Sequence, residues 1–192
     1  VYNDFSVKQG THKLLTGPNR GGKSTYLKSI GLAVLTSQTL GICFARSVVL
    51  KPFSLIETAL SPSDTLGRLS LFETEIEFAR SVLENVQKNE DYSFLLMDEI
   101  FHSTNAIDGA EASSVFLKKL YRLKNCFSLI STHYKTLVEN PSLKDQFEPI
   151  CMRAFEKDDS ISYSYQCVPG TCYVSSVKEI LKERGLWENE NS

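Results

Sequence analysis

An α/β fold with a mostly parallel central sheet flanked by helices is predicted by three features of the 192-residue chain. The first is TGPNRGGKST, Thr16 to Thr25, which carries G-x-x-x-x-G-K-[ST] at Gly17, Gly22, Lys23 and Ser24. It lies between a short strand-like stretch, HKLLT, and a helical pattern. The second is YSFLLMD, Tyr92 to Asp98, a run that is apolar on both faces. A strand covered by helices above and below has to read that way. The third is CFSLIS, Cys126 to Ser131, another short buried-type run that follows a helical segment.

Taken in order, His12 to Thr16 is a strand entering the loop. Leu27, Ile30, Val34 and Leu35 then recur at helical spacing from Lys23 to about Leu40, and Gly41 stops the helix. FARSVVL and SLIETAL read as two strands broken by Pro52. SPSDTLGRLS is a polar turn-forming segment. It leads into a helix over Leu71 to about Lys88, with Ser70 as N-cap and Glu73 completing a capping box. Asn105 to Gly109 reads as a turn, and Gly109 to about Leu123 as a helix with Val115, Phe116, Leu117 and Leu120 inward. Asn140 to Asp145 is loop-like. ICMRAFEK and SISYSYQC form an antiparallel hairpin turning at Asp158 and Asp159. VPGTC is a turn, Tyr173 to about Glu183 a C-terminal helix stopped at Gly185, and WENENS a frayed end. The whole is read as one domain, residues 1–148 a nucleotide-binding core and 149–192 the hairpin and helix. The abrupt start without methionine marks it as a piece of a longer protein.

The chemistry follows from the same segments. Glycines let the loop turn its N–H groups onto phosphate oxygens at the positive end of the following helix. Lys23 then reaches the β- and γ-phosphates of a nucleoside triphosphate, and Ser24 offers its hydroxyl to Mg²⁺. In open α/β sheets ligands bind at the carboxyl ends of strands, so Asp98 and Glu99 come up beside those phosphates. Asp98 is placed to hold Mg²⁺ and Glu99 to deprotonate the attacking water. His133, just past the next strand, reaches the same edge. It can donate to a γ-phosphate oxygen or serve structurally. His12 lies in the entering strand, and His102 in a loop facing solvent or a partner.

Composition narrows the setting. A net charge of −2 gives no phosphate-backbone-binding face, so any contact with DNA belongs to other parts. No apolar run approaches the ~18 residues of a membrane span and no signal peptide opens the chain, which places it in the cytosol or nucleus. Cys43, Cys126, Cys151, Cys167 and Cys172 lack zinc-site spacing and read as buried or free thiols.

TGPNRGGKST, LLMDEI and STHY, in this order, resemble the ATPase domain of the MutS family of DNA mismatch-repair proteins, and the likeness covers nearly the whole chain. It implies a P-loop NTPase of the ABC ATPase class, in which two such domains, identical or different, share each ATP between one subunit's phosphate loop and the other's signature loop. Hydrolysis there is coupled to DNA held largely by regions outside this chain. By this resemblance Gly17, Pro18, Asn19, Arg20, Gly21, Gly22, Lys23, Ser24 and Thr25 are the nucleotide loop. Tyr2, Asn3 and Asp4 contact adenine, Ser24 and Asp98 hold Mg²⁺, and Glu99, His133 and Lys23 are catalytic. Ser70 is the signature serine acting in trans, and Ser103 to Asp108, with Asn105 and Asp108, is the loop through which subunits sense each other. The signature loop, SDTLGRLS, has one residue more between glycine and serine than the family pattern and lacks its second glycine. Phe101, His102 and Arg20 replace the usual glycine, arginine and methionine, which marks a divergent branch. Two other readings are an ATP-dependent dimerisation module with little hydrolysis and an ABC-type motor of a transporter or chromosome-associated protein. The motor would need an LSGGQ-like signature and a glutamine-bearing loop, and neither is evident.

Overall fold

A computed structural model describes residues 1–8, 10–60, 70–157 and 160–187. The signature stretch from Ser61 to Leu69, the turn at Asp158 and Asp159 and the last residues from Glu188 lie outside them. The strands are β1 (His12–Thr16), β2 (Leu55–Ala59), β3 (Ser93–Met97), β4 (Cys126–Ser131), β5 (Glu148–Lys157) and β6 (Ser160–Pro169). The helices are α1 (Lys23–Leu40), α2 (Leu71–Lys88), α3 (Ala106–Leu120), α4 (Lys135–Glu139), α5 (Pro141–Lys144) and α6 (Val177–Glu183). One sheet runs β2-β3-β4-β1-β5-β6. Its first five strands are parallel, and only β6 runs antiparallel, against β5.

Every residue of β1, β3 and β4 is buried, as strands covered by helices on both faces must be. Strand alternation divides these residues between two cores. Leu14, Leu95, Met97 and Ile130 face α2, α3, α4 and α5, while Leu15, Phe94, Leu96, Phe127 and Leu129 face α1 and the opening segment at Phe5 and Val7. Each fully buried Leu or Phe contributes about 1.5–3 kcal/mol. In the second core Phe53, Phe94 and Phe127 stack with centroids 5.0 and 5.1 Å apart, and Phe5 meets Phe127 edge-on at 5.7 Å. These rings stitch the opening segment to the sheet.

Local signals set the ends of the first two helices. Gly41 caps α1 in the left-handed conformation, and Ser70 and Glu73 form the expected capping box on α2. Four expectations are corrected. Residues 44–50 form no strand: Phe44 and Val49 are exposed, and β2 takes the sheet position beside β3. The α3 helix starts earlier, at Ala106, because Asn105 caps it. Its buried stripe is Gly109, Ser113, Phe116, Leu117 and Leu120, so Val115 falls off the stripe and is 52% exposed. Within the expected loop from Asn140 to Asp145, Pro141–Lys144 wind into α5, capped by Asn140 and directly after α4. The last helix begins at Val177, not Tyr173. The hairpin strand β5 pairs with β1 and so continues the main sheet.

Candidate functional site

The glycine-rich loop expected to hold phosphate leaves β1 at Thr16 and enters α1 at Lys23. The Gly21 N–H donates to Pro18 O at 3.1 Å, while Arg20 and Gly22 take positive φ of 66° and 92°. Lys23, 5% exposed, bends back along the loop, and its ammonium donates to Gly17 O at 3.1 Å and Pro18 O at 3.3 Å. The same nitrogen lies 3.6 Å from Glu99 Oε1. An ammonium has three donors, so one remains beyond the two loop carbonyls, with the Glu99 carboxylate nearby.

Asp98 and Glu99 follow β3. The Asp98 N–H donates to Ala59 O at 2.8 Å, extending the β2–β3 ladder by one residue. The chain then turns sharply. Glu99 and Phe101 both adopt left-handed φ, 53° and 55°, which costs roughly 1–2 kcal/mol per non-glycine residue. Three side chains, Ser131, Tyr134 and Glu75, hold that turn. Ser131, at the end of neighbouring β4 and fully buried, donates to Asp98 Oδ1 at 2.5 Å and accepts the Glu99 N–H at 2.9 Å. The Tyr134 hydroxyl donates to Phe101 O at 2.6 Å. Glu75 on α2 accepts from Ser103 Oγ at 2.6 Å and faces His102 Nδ1 at 2.8 Å, and that nitrogen is also 2.9 Å from Glu99 O.

Ser24, Asp98 and Glu99 thus line one cleft of about 490 Å³, bounded by Thr58, Thr74 and Glu75. Ser24 and Asp98 supply hard oxygen donors of the kind Mg²⁺ takes. Mg²⁺ needs only one or two such protein groups when waters and phosphates complete its octahedron, so the donor set fits. His133 follows β4 on the same side as Asp98 follows β3, exposed, with its ring 4.2 Å from that of Tyr134.

The remaining residues singled out from sequence are not among those that line this cleft. Asn3 donates to Tyr165 O at 3.0 Å and accepts from the Cys167 N–H at 2.7 Å, which fastens the opening segment to β6. A Cβ on Gly22 would lie 3.2 Å from the Tyr165 ring, so β6 reaches the phosphate loop. Tyr2 is exposed under the Arg46 guanidinium, and Asp4 is exposed as well. Arg20 pairs with Glu183 of α6 at 2.5 Å. Ser70 is exposed at the start of α2, where its hydroxyl accepts the Glu73 N–H. Asn105 caps α3 through Ile107 and Asp108, and its amide donates to Asp108 Oδ2 at 2.6 Å. Asn19 and Thr25 lie on the loop and the first turn of α1.

His12 stands apart from the site. It is buried, 2.9 Å from Ser128 Oγ, and burial, with Lys124, pushes its pKa down to about 4. All five cysteines are free, and burial raises Cys126 to about 12 and Cys151 to about 11. Sequence reasoning missed Ser131, Glu75 and Tyr165. For Ser131 a signal existed: a hydroxyl at the last position of an otherwise buried strand must find a partner.

Among the described residues no helix is long and apolar enough to cross a membrane. The family model described as MutS domain V matches residues 13–186, from β1 through α6, and takes in the phosphate loop, the β3 carboxylates and the β4 end. A match over that span, on a sheet that brings those three motifs to one edge, shows that this chain belongs to the MutS family.

Proposed function

We propose that this chain is a P-loop ATPase domain that binds Mg-ATP and hydrolyses it in a site completed by a second MutS-like domain. The observation that carries this reading is that Ser24, Asp98 and Glu99 line one cleft, with Lys23 Nζ 3.6 Å from Glu99. The loop N–H groups and Lys23 would hold the β- and γ-phosphates, with Asn19 and Arg20 flanking them. Ser24 and Asp98 would hold Mg²⁺, whose charge offsets that of the phosphates. Glu99 would take a proton from water as the water oxygen bonds to the γ-phosphorus and the bond to the bridging oxygen breaks, releasing ADP and phosphate. His133 is the donor to the γ-phosphate at that edge. Most of the acceleration is positioning and charge stabilisation.

Tyr2, Asn3 and Asp4 would meet the base, in support of which Asn3 is tied to β6, and Tyr165, beside Gly22, would join them. Ser70 of one domain would reach the other's nucleotide, and the 103–108 loop with Asn105 and Asp108 would report each site to its neighbour. ATP-driven closure would then alter the grip of attached regions on DNA, a coupling between sites.

Light scattering and phosphate release on the same samples test this reading. Glu99→Gln is expected to dimerise with Mg-ATP, the wild type to hydrolyse it, and Lys23→Ala to do neither. A wild type that binds ATP as a persistent monomer without releasing phosphate would overturn the hydrolytic reading.

A further inference from the structure

We propose that Ser131 is a positioning residue that sets both carboxylates of the site at once; this rests on the Mg-ATP reading above. Its hydroxyl has one proton. Because that proton goes to Asp98 Oδ1, the oxygen is free to accept the Glu99 N–H, and both contacts are made, at 2.5 and 2.9 Å. The residue is 0% exposed and belongs to β4, which lies between β1 and β3. Its Cα is in register with Leu15, next to the start of the phosphate loop. The geometry therefore refers the two acidic groups to the strand that also pairs with β1.

Each contact has a consequence for the site. Fixing Oδ1 restricts rotation of the Asp98 carboxylate and orients its other oxygen, as hydrogen bonds to metal-ligating carboxylates do. Accepting the Glu99 N–H satisfies a donor that the left-handed turn has removed from the ladder, so it holds Glu99 at φ 53°. Alanine at this position keeps the backbone pairing of β4 but removes both constraints. Threonine keeps the hydroxyl.

The test uses the full chain, a fluorescent ATP analogue and Mn²⁺ as a spin-active stand-in for Mg²⁺. Ser131→Ala is expected to bind the analogue without metal within about twofold of wild type. Its nucleotide complex should bind Mn²⁺, followed by electron paramagnetic resonance, about tenfold more weakly, the lower end of the effect of removing such an outer contact. The metal concentration for half-maximal phosphate release should rise by the same factor, and Ser131→Thr should restore both. Ser131→Cys, which keeps the volume with a weak donor, replaces Ala if Ala does not fold, with the same expectation. A wild type that binds analogue and Mn²⁺ together with a serine variant that binds Mn²⁺ equally well overturns the role of Ser131 alone. A wild type that binds neither overturns the nucleotide-site reading, and Ser131 with it.

Discussion

The phosphate loop is held differently on its two flanks. On the β3–β4 side the contacts are buried or part-buried and lie at the strand ends: Ser131 to Asp98 and Glu99, Thr132 N–H to Leu15 O at 3.0 Å, and Tyr134 to Phe101 O. On the β6–α6 side they are exposed side-chain contacts, such as Arg20 with Glu183, each about half exposed, and Asn3 with β6. Desolvated hydrogen bonds cannot be exchanged for water without leaving a group unpaired, whereas exposed ones can. The flank that carries the proposed reacting groups is therefore the more firmly held one, and the flank nearer the proposed base contacts is adaptable.

The sharpest way to break the buried flank is Gly109→Ala. A Cβ there would stand 2.1 Å from the Tyr134 hydroxyl and 2.5 Å from Phe101 O, the two atoms whose hydrogen bond pins the turn after Glu99. Backbone and ring must both move, so a loss of about 3 kcal/mol is expected in urea unfolding, at the upper part of the range for overpacking. Phosphate release should fall with it. A loss under about 1 kcal/mol would mean that this flank yields easily and that the contrast is overstated.

His12 tests the other end of the same seam, since β1 and β4 are also joined there through Ser128. The unfolded histidine takes up a proton near its ordinary 6.5 and the folded one near 4. Below 6.5 the unfolded state therefore binds more protons, and stability falls as pH drops toward 4. Two and a half pH units correspond to at most about 3 kcal/mol. His12→Gln should flatten stability between pH 6.5 and 5, above the range where the carboxylates titrate. An unchanged slope in that variant would show that His12 is not held neutral by the β1–β4 seam.

The same contrast explains what was legible in the sequence. A two-sided apolar run gave away β3, a short buried-type run β4 and the stretch entering the glycine-rich loop β1, and capping residues at Ser70 and Gly41 fixed the limits of α2 and α1, because those signals are local. The strand-end carboxylates could be placed from the fold rule alone. Pairing of β5 with β1 joins segments more than 130 residues apart and leaves no local pattern. Residues 44–50 misled for the related reason that β propensity describes fit to a pleated, half-buried surface, and Val48 and Val49 have no such surface. Glu75 and Tyr165 were hidden because each acts across elements: a helix carboxylate on a turn, and a ring laid over Gly22.

The smallest effect is expected on the exposed flank, from Glu183→Gln. Arg20 and Glu183 are 44% and 50% exposed, so water and salt screen their attraction, and the amide can still accept a hydrogen bond from the guanidinium. The α6 helix keeps the tie of Glu179, which accepts the Tyr163 hydroxyl at 2.6 Å and the Ile161 N–H at 2.9 Å. The urea midpoint should therefore stay within error of wild type at both low and high salt. Affinity for the ATP analogue should change by less than about threefold, in the direction of tighter binding, since an Arg20 released from a carboxylate is freer to meet phosphate. A fall in midpoint approaching that of Gly109→Ala would place structural weight on the α6 side. The two flanks would then differ in exposure but not in how firmly they hold the loop.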